Sequence, residues 1–291
     1  LTTRNIILIG GPDTGKTGFL ARLWIALQAR RGALTPSRTP DEIKYIEDVV
    51  HYLHQGSFPP RTDQNLEADQ GPITIPLGLE ESPEEKIAEL LIPDVSGEIW
   101  KKAVETTELA PEWMAQLEDA FGVLLFVRVL SDLNVDPLDW VNSAELMEYQ
   151  GDNAQSDKMP TQVMLCEFLR FLELKLPDRT SGRKPRIAVI ITAWDLLDND
   201  SSATRPRAYL EKEYPLFAGR LADLDRFDVA VFAISILGGD LQVDEEFREE
   251  LLLNSDLESA GFIRFDRGGT VEEETDFTLP VAWVIGTRDM P

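Results

Sequence analysis

NIILIGGPDTGKTGFL, residues Asn5–Leu20, decides how the chain is read. Asn5–Ile9 is a short apolar run rich in β-branched residues, the pattern of a buried parallel strand. It runs into Gly10, Gly11, Pro12, Asp13, Thr14, Gly15, Lys16 and Thr17, which fit G-x-x-x-x-G-K-[ST] at every fixed position. From Thr17 through Gly18 the pattern turns helical. Phe19, Leu20, Leu23, Trp24 and Leu27 share one stripe, and Arg30-Arg31-Gly32 closes it. Strand, glycine-rich turn and helix together are the context this motif requires. Glycines let successive backbone N–H groups point at an anion, and the positive end of the helix dipole adds to the attraction. Lys16 is expected to be exposed towards β- and γ-phosphates rather than packed, and the Thr17 hydroxyl to ligate Mg²⁺. The stretch implies binding of a nucleoside triphosphate.

The rest of the composition narrows the partners. Against 28 basic residues stand 52 acidic ones, a net charge of −24. Such a surface repels phosphate backbones and anionic lipid, so neither nucleic acid nor a membrane surface is an expected partner. No apolar run is long enough to span a bilayer, and no signal peptide precedes the first strand. The single cysteine, Cys166, excludes an internal disulfide, suits the cytoplasm, and lies in an apolar run where a buried thiol is expected. Because the chain begins at Leu1, almost on the first strand, a fragment of a longer protein is expected.

Downstream, Thr35–Pro40 reads as a proline-marked loop and Asp41–Gln55 as a helix carrying the two histidines, His51 and His54. With no further His or Cys nearby, these read as surface or packing residues rather than metal ligands. Ser57–Gly71 lacks periodicity and reads as a loop. Pro72–Leu79 and Lys86–Ile92, joined by the acidic turn Glu80–Glu85, read as an antiparallel hairpin. Glu112–Ala120 is a predicted helix, Val123–Val129 a buried strand and Thr161–Leu174 a helix. Arg186–Thr192 is a strand, Arg205–Leu224 one helix and Asp228–Ser235 another buried strand. Pro280–Arg288 fits a short helix or an edge strand. The expected fold class is α/β: one domain over 1–291, a doubly wound, mostly parallel sheet with one antiparallel hairpin edge and helices on both faces. Insertions are expected near 33–60, 132–160 and 237–276.

In doubly wound sheets the ligand sits beyond the carboxyl ends of the strands, so polar residues there are site candidates. Asp94-Val95-Ser96-Gly97 ends one strand as D-x-x-G, Thr192-Ala193-Trp194-Asp195 ends a later one, and Ser235-Ile236 closes the last buried strand. Taken in order with the phosphate loop, these residues resemble the Ras-like, translation-factor-related P-loop GTPases. Phe19–Leu27 (FLARLWIAL), Phe58–Thr62 (FPPRT), Pro137–Trp140 (PLDW) and Pro280–Trp283 (PVAW) resemble one branch, the bacterial double-GTPase family of conflict (defence-like) systems.

That resemblance implies roles. Asp94 would hold Mg²⁺ and the Gly97 N–H would meet the γ-phosphate. Asp195 would read guanine through its N1–H and amine. Ala193 stands where the family carries lysine, so Trp194 is a candidate to stack on the base, with Thr192 beside it; Ser235 and Ile236 would present backbone to guanine O6. Thr62 would meet Mg²⁺ and the γ-phosphate only in the triphosphate state. Arg61 is a candidate arginine finger in cis, and Glu98 stands where a water-orienting glutamine is usual, which implies slow or partner-dependent hydrolysis. The implied activity is a cytoplasmic GTP/GDP switch using Mg²⁺ and acting on protein effectors or a second GTPase. A scaffold with little turnover, and an ATPase or small-molecule kinase, remain as alternatives.

Overall fold

The computed structural model describes residues 4–40, 43–58, 73–93, 97–135, 159–179, 182–197, 205–241, 243–254 and 257–289. Elements are numbered here among those residues. The first half holds β1 (Arg4–Ile9), α1 (Lys16–Ala29), β2 (Leu34–Pro36), α2 (Lys44–His54), β3 (Ile73–Leu79) and β4 (Ala88–Ile92). There follow α3 (Glu98–Thr106), α4 (Pro111–Glu118), β5 (Ala120–Arg128), α5 (Thr161–Lys175) and β6 (Arg186–Thr192). The remainder holds α6 (Pro206–Glu213), α7 (Pro215–Ala222), β7 (Asp228–Ser235), α8 (Glu245–Asn254), β8 (Phe262–Arg267), β9 (Thr270–Glu274) and α9 (Leu279–Ile285).

Period-two alternation sorts the strand side chains into two cores. Ile6 and Leu8 of β1, Leu124 and Phe126 of β5, and Ala188 and Ile190 of β6 pack with Phe19, Leu23 and Trp24 of α1 and with buried α9. The intervening Ile7, Ile9, Val123, Leu125, Ile187 and Val189 pack on the other face against α3, α5, α6 and α7, through Trp100, Phe168, Tyr209 and Phe217. Both faces are therefore covered, which is why these strands read as continuous apolar runs.

The sheet has nine strands in the order β2-β3-β4-β1-β5-β6-β7-β8-β9. β4, β1, β5, β6 and β7 run parallel, and β3 returns antiparallel to β4 as the hairpin reading requires. The chain crosses β1 to add strands on either side, so the switch point of the winding lies at the carboxyl end of β1, where the phosphate loop begins. No helix among the described residues is long and apolar enough to cross a membrane.

Several boundaries differ from the sequence reading. Antiparallel pairing is found at both edges rather than in one hairpin: β2 pairs with β3, β8 with β7, and β9 with β8. The proline-marked 35–40 segment thus begins as an edge strand, where a proline is tolerated because the outer side needs no donor. Within 237–276, read as an insertion, β8 and β9 extend the same sheet. Their charges pair on its surface, Arg264 with Glu273 at 2.6 Å and Arg267 with Glu272 at 3.0 Å. The predicted single helix over 205–224 breaks at Tyr214 (φ −130°), because Pro215 has no N–H to continue it. Helix α3 was not anticipated. It starts on a left-handed Gly97 and buries only Trp100, Ala103 and Val104. Cys166 is half-buried rather than buried; desolvation pushes its thiol above the usual range.

Every residue of α9 is buried, so its last carbonyls are shut off from water and need partners within the protein. Three arginines supply them. Arg4 donates to Ile285 O at 3.0 Å, Arg179 to Val284 O at 2.6 Å and Arg186 to Trp283 O at 2.6 Å. Arg179 also lies 3.9 Å over the Phe121 ring. Burial, with the positive charges of Arg186 and Arg4, brings its pKa down to about 10, so it remains a cation at neutral pH. Arg179→Ala should destabilise the fold by about 2–3 kcal/mol, because it orphans a buried carbonyl facing a charged donor. Urea unfolding measures this; a loss under about 0.5 kcal/mol would mean that water or a neighbour satisfies Val284.

Candidate nucleotide-binding site

The site is assembled where β1, β5, β6 and β7 end. Gly15 is left-handed (φ 78°) and caps α1, whose first bond to it is Phe19 N to Gly15 O at 3.1 Å. By helix geometry the N–H groups before Phe19 face out of the helix end. The loop closes on itself as Thr14 Oγ1 donates to Gly11 O at 2.9 Å. Gly10 is packed against Phe126, where an added Cβ would lie 2.9 Å from its Cβ. Gly11 lies beneath the Met164 side chain, Pro12 is partly exposed, and Thr17 is partly exposed on the first turn of α1.

Lys16 departs from expectation. Its residue is 2% exposed, and Nζ donates to Gly10 O at 2.9 Å and Gly11 O at 2.6 Å, with Thr14 Oγ1 at 3.4 Å. A buried ammonium needs such acceptors, and the loop supplies its own carbonyls. The lysine is therefore packed within the loop rather than exposed, and its removal carries a structural effect.

Other strand ends press on this loop. At the end of β6, Thr192 Oγ1 donates to Thr14 O at 2.9 Å, and a Cβ on Gly15 would fall 2.5 Å from that hydroxyl oxygen. Gly97 (φ 85°) touches the loop backbone: a Cβ there would lie 2.4 Å from the Gly11 carbonyl carbon. Glu98 follows as the first residue of α3, 46% exposed and 3.9 Å from Lys101. Ile236 reaches the first turn of α1, its Cδ1 lying 2.9 Å from where a Gly18 Cβ would be.

The residues expected from the sequence to face the base also come together, with one exception. Ser235 is fully buried; its hydroxyl accepts from Gly238 N–H at 2.9 Å and bonds the Asp195 carboxylate. The sequence pointed to Ser235 for its backbone alone. Desolvation by burial holds the Asp195 carboxyl above the usual range and Asp240 adds to the rise, while the Ser235 hydroxyl, a backbone N–H and the charge of Arg128 oppose it. Trp194 must be corrected. Its indole is 0% exposed and packs edge-on against Tyr209 at 5.2 Å, so it has no face to offer a base. Arg61, Thr62 and Asp94 lie outside the described residues. Among the described residues there is no cluster of three or more His, Cys, Asp or Glu able to hold a metal.

Two residues at the site escaped the sequence reading. Arg128, the last residue of β5, donates from NH1 to Asp13 Oδ1 at 2.9 Å, and Ser131 Oγ donates to Asp13 Oδ2 at 2.9 Å. The available signal was a lone cation at the carboxyl end of the apolar run VLLFVRV.

The family model of Double-GTPase 1 matches residues 7–284, from β1 into α9. The chain belongs to the Double-GTPase 1 family. Among curated proteins none matches it. Solved structures that it is similar to include the signal recognition particle receptor SRb-GTP/SRX complex from Chaetomium thermophilum, 13% identical, with a TM-score of 0.35 over 86% of this chain and 98% of that one. The S. cerevisiae Ski7 GTPase-like domain bound to GDP and inorganic phosphate is 13% identical, with a TM-score of 0.39 over 93% of this chain and 58% of that one. A bacterial selenocysteine-specific elongation factor, EF-Sec, is 14% identical, with a TM-score of 0.34 over 91% of this chain. The chain spans only 34% of that factor's length. This double-GTPase chain has the mixed sheet described above, a parallel centre with antiparallel edges.

Gly97→Ala tests how far the loop depends on its neighbour. The new methyl meets backbone, which cannot swing aside, and a left-handed alanine is strained. The variant should keep its circular dichroism spectrum yet bind GTP at least about tenfold more weakly by calorimetry. Parental affinity would mean that α3 yields without disturbing the loop.

Proposed function

We propose that this double-GTPase chain binds GTP and Mg²⁺ in the described cleft, hydrolyses GTP slowly, and acts as a switch on a partner protein. The observation that carries the reading is the meeting of Asp195 and Ser235 beside the loop that Thr192 holds. A carboxylate that accepts two donors from one edge of guanine finds no such pair on adenine. In this reading the loop N–H groups and Lys16 bind the β- and γ-phosphates, and Gly97 adds an N–H at the γ end. Glu98 orients or accepts a proton from the attacking water, and its negative charge opposes approach to the phosphate, which slows turnover. Arg61 and Thr62 are proposed to complete the γ-phosphate end, Arg61 as the finger.

Thr17 and Asp94 would hold Mg²⁺. The hydroxyl of a partly exposed threonine at the start of α1 is the hard oxygen ligand this ion takes, and one or two protein oxygens suffice when phosphates supply the rest. When bound, the ion neutralises charge developing on the phosphate oxygens. A cytoplasmic setting, a protein effector or second GTPase as partner, and a role in a bacterial conflict system belong to the same proposal. They are supported by membership of the double-GTPase family and by the acidic surface.

Asp195→Asn should weaken GTP binding about ten- to a hundredfold in competition calorimetry, with ATP binding weakly to both proteins. The raised Asp195 carboxyl adds a pH test. On acidification it protonates above the ordinary carboxylate range near about 3.9 and loses an acceptor, so the parental advantage over Asp195→Asn should shrink there first. Because its folded pKa is raised, this group favours folding as pH falls, so the lost binding is not acid unfolding through Asp195. ATP binding as tight as GTP, or a parental advantage flat with pH, would remove Asp195 as the base reader.

A further inference from the structure

An aspartate inside a phosphate-binding loop sets one negative charge against another. Asp13 occupies such a position, and its backbone is left-handed (φ 57°), a conformation that aspartate tolerates better than most side chains. Its carboxylate does not stand loose at the loop. It is held towards the exit of β5 by the Arg128 guanidinium at 2.9 Å and the Ser131 hydroxyl at 2.9 Å, with 14% of the Asp13 side chain exposed. The backbone that carries the arginine and the serine hydroxyl are themselves held. Arg128 O accepts from the Tyr214 hydroxyl at 3.0 Å, and Ser131 Oγ accepts from Leu133 N–H at 3.2 Å in a turn that starts at left-handed Leu130 (φ 48°). The ion pair therefore joins two structured segments rather than two mobile surface side chains, the circumstance in which such pairs matter.

We infer that Arg128 and Ser131 form a clamp that draws the Asp13 carboxylate aside and neutralises it, which makes Arg128 a positioning residue for phosphate binding. This rests on the reading of the loop as a nucleotide site. Arg128 acts through Asp13. Without it, an uncompensated carboxylate shares the loop with the phosphates, and the penalty rises with the charge of the ligand. GTP should suffer more than GDP, and salt should narrow the loss, since a partly exposed charge is screened. A merely structural arginine would show neither trend, nor any recovery on neutralising Asp13.

The test is calorimetric titration of GTP and GDP into the parent, Arg128→Met, and Arg128→Met combined with Asp13→Asn. Thermal melting checks that each variant is folded. Arg128→Met should lose about ten- to a hundredfold in GTP affinity and less for GDP, and the gap should shrink between about 0.05 M and about 0.5 M NaCl. Adding Asp13→Asn, which keeps the shape and tolerates the left-handed backbone but carries no charge, should restore GTP binding to within about threefold of the parent. Parental GTP affinity in Arg128→Met overturns the clamp alone. A loss that Asp13→Asn fails to restore overturns it as well, because Arg128 then acts by another route. A parent that binds neither nucleotide overturns the site reading and the clamp with it.

Discussion

One hydroxyl ties the two ends of the candidate site together. Thr192, the last residue of β6, donates to Thr14 O, and its side chain fills the space that only a glycine at position 15 leaves open. Three residues further on is Asp195. The placing of the glycine-rich loop relative to the Asp195 carboxylate thus depends on one side chain at the end of a central strand. Ile236, against the first turn of α1, fixes the same spacing from β7. Strands buried on both faces cannot slide, so in the proposed reading a nucleotide would meet groups already in place.

Charge placement is the second constraint. A chain of net charge −24 repels a nucleotide from a distance, so attraction must come from local sources. In the proposed reading the end of α1 and Lys16 provide it at short range, and the pairing of Asp13 with Arg128 removes an opposing charge. Elsewhere the scarce arginines serve the backbone. Arg22 is buried and donates to Glu258 O and Ala260 O, Arg226 to Leu176 O, and Arg4, Arg179 and Arg186 to the end of α9. Arg22 joins the phosphate-loop helix to the segment in which Gly261 underlies Ser235 and Ile236, a second route between the two halves of the site. Carboxylates keep the surface acidic while guanidinium groups close the interior carbonyls.

What could be read directly follows from what surrounds each segment. β1, β5, β6 and β7 are continuous apolar runs because both faces are covered, and the glycine-rich joint after β1 needs its residue types for backbone reasons. β8 and β9 were hidden because only one face packs and their acids pair across the hairpin, so composition suggested an excursion. α3 was hidden because a nine-residue helix with three buried side chains hardly differs from a polar turn. Within the candidate site, the sequence marked Asp195, Ser235 and Gly97 by their place after strands, and the fold sets Asp195 beside Ser235 and Gly97 against the loop. The burial of Trp194 was not, because an aromatic after a strand has the same sequence signal whether it faces the cleft or packs beneath it. Arg128 was missed because its partner, Asp13, is 115 residues away in the chain and only the sheet brings them together.

The claim that unites these features is that the cleft holds guanine nucleotide and turns it over. Single-turnover phosphate release from enzyme-bound GTP and ATP, with and without Mg²⁺, tests it most directly. The account predicts Mg²⁺-dependent release from GTP, on the order of 10⁻⁴ to 10⁻² s⁻¹ without a partner, and none above background from ATP. Release from ATP at the same rate, or bound GTP that stays intact through many hours with Mg²⁺, would contradict it.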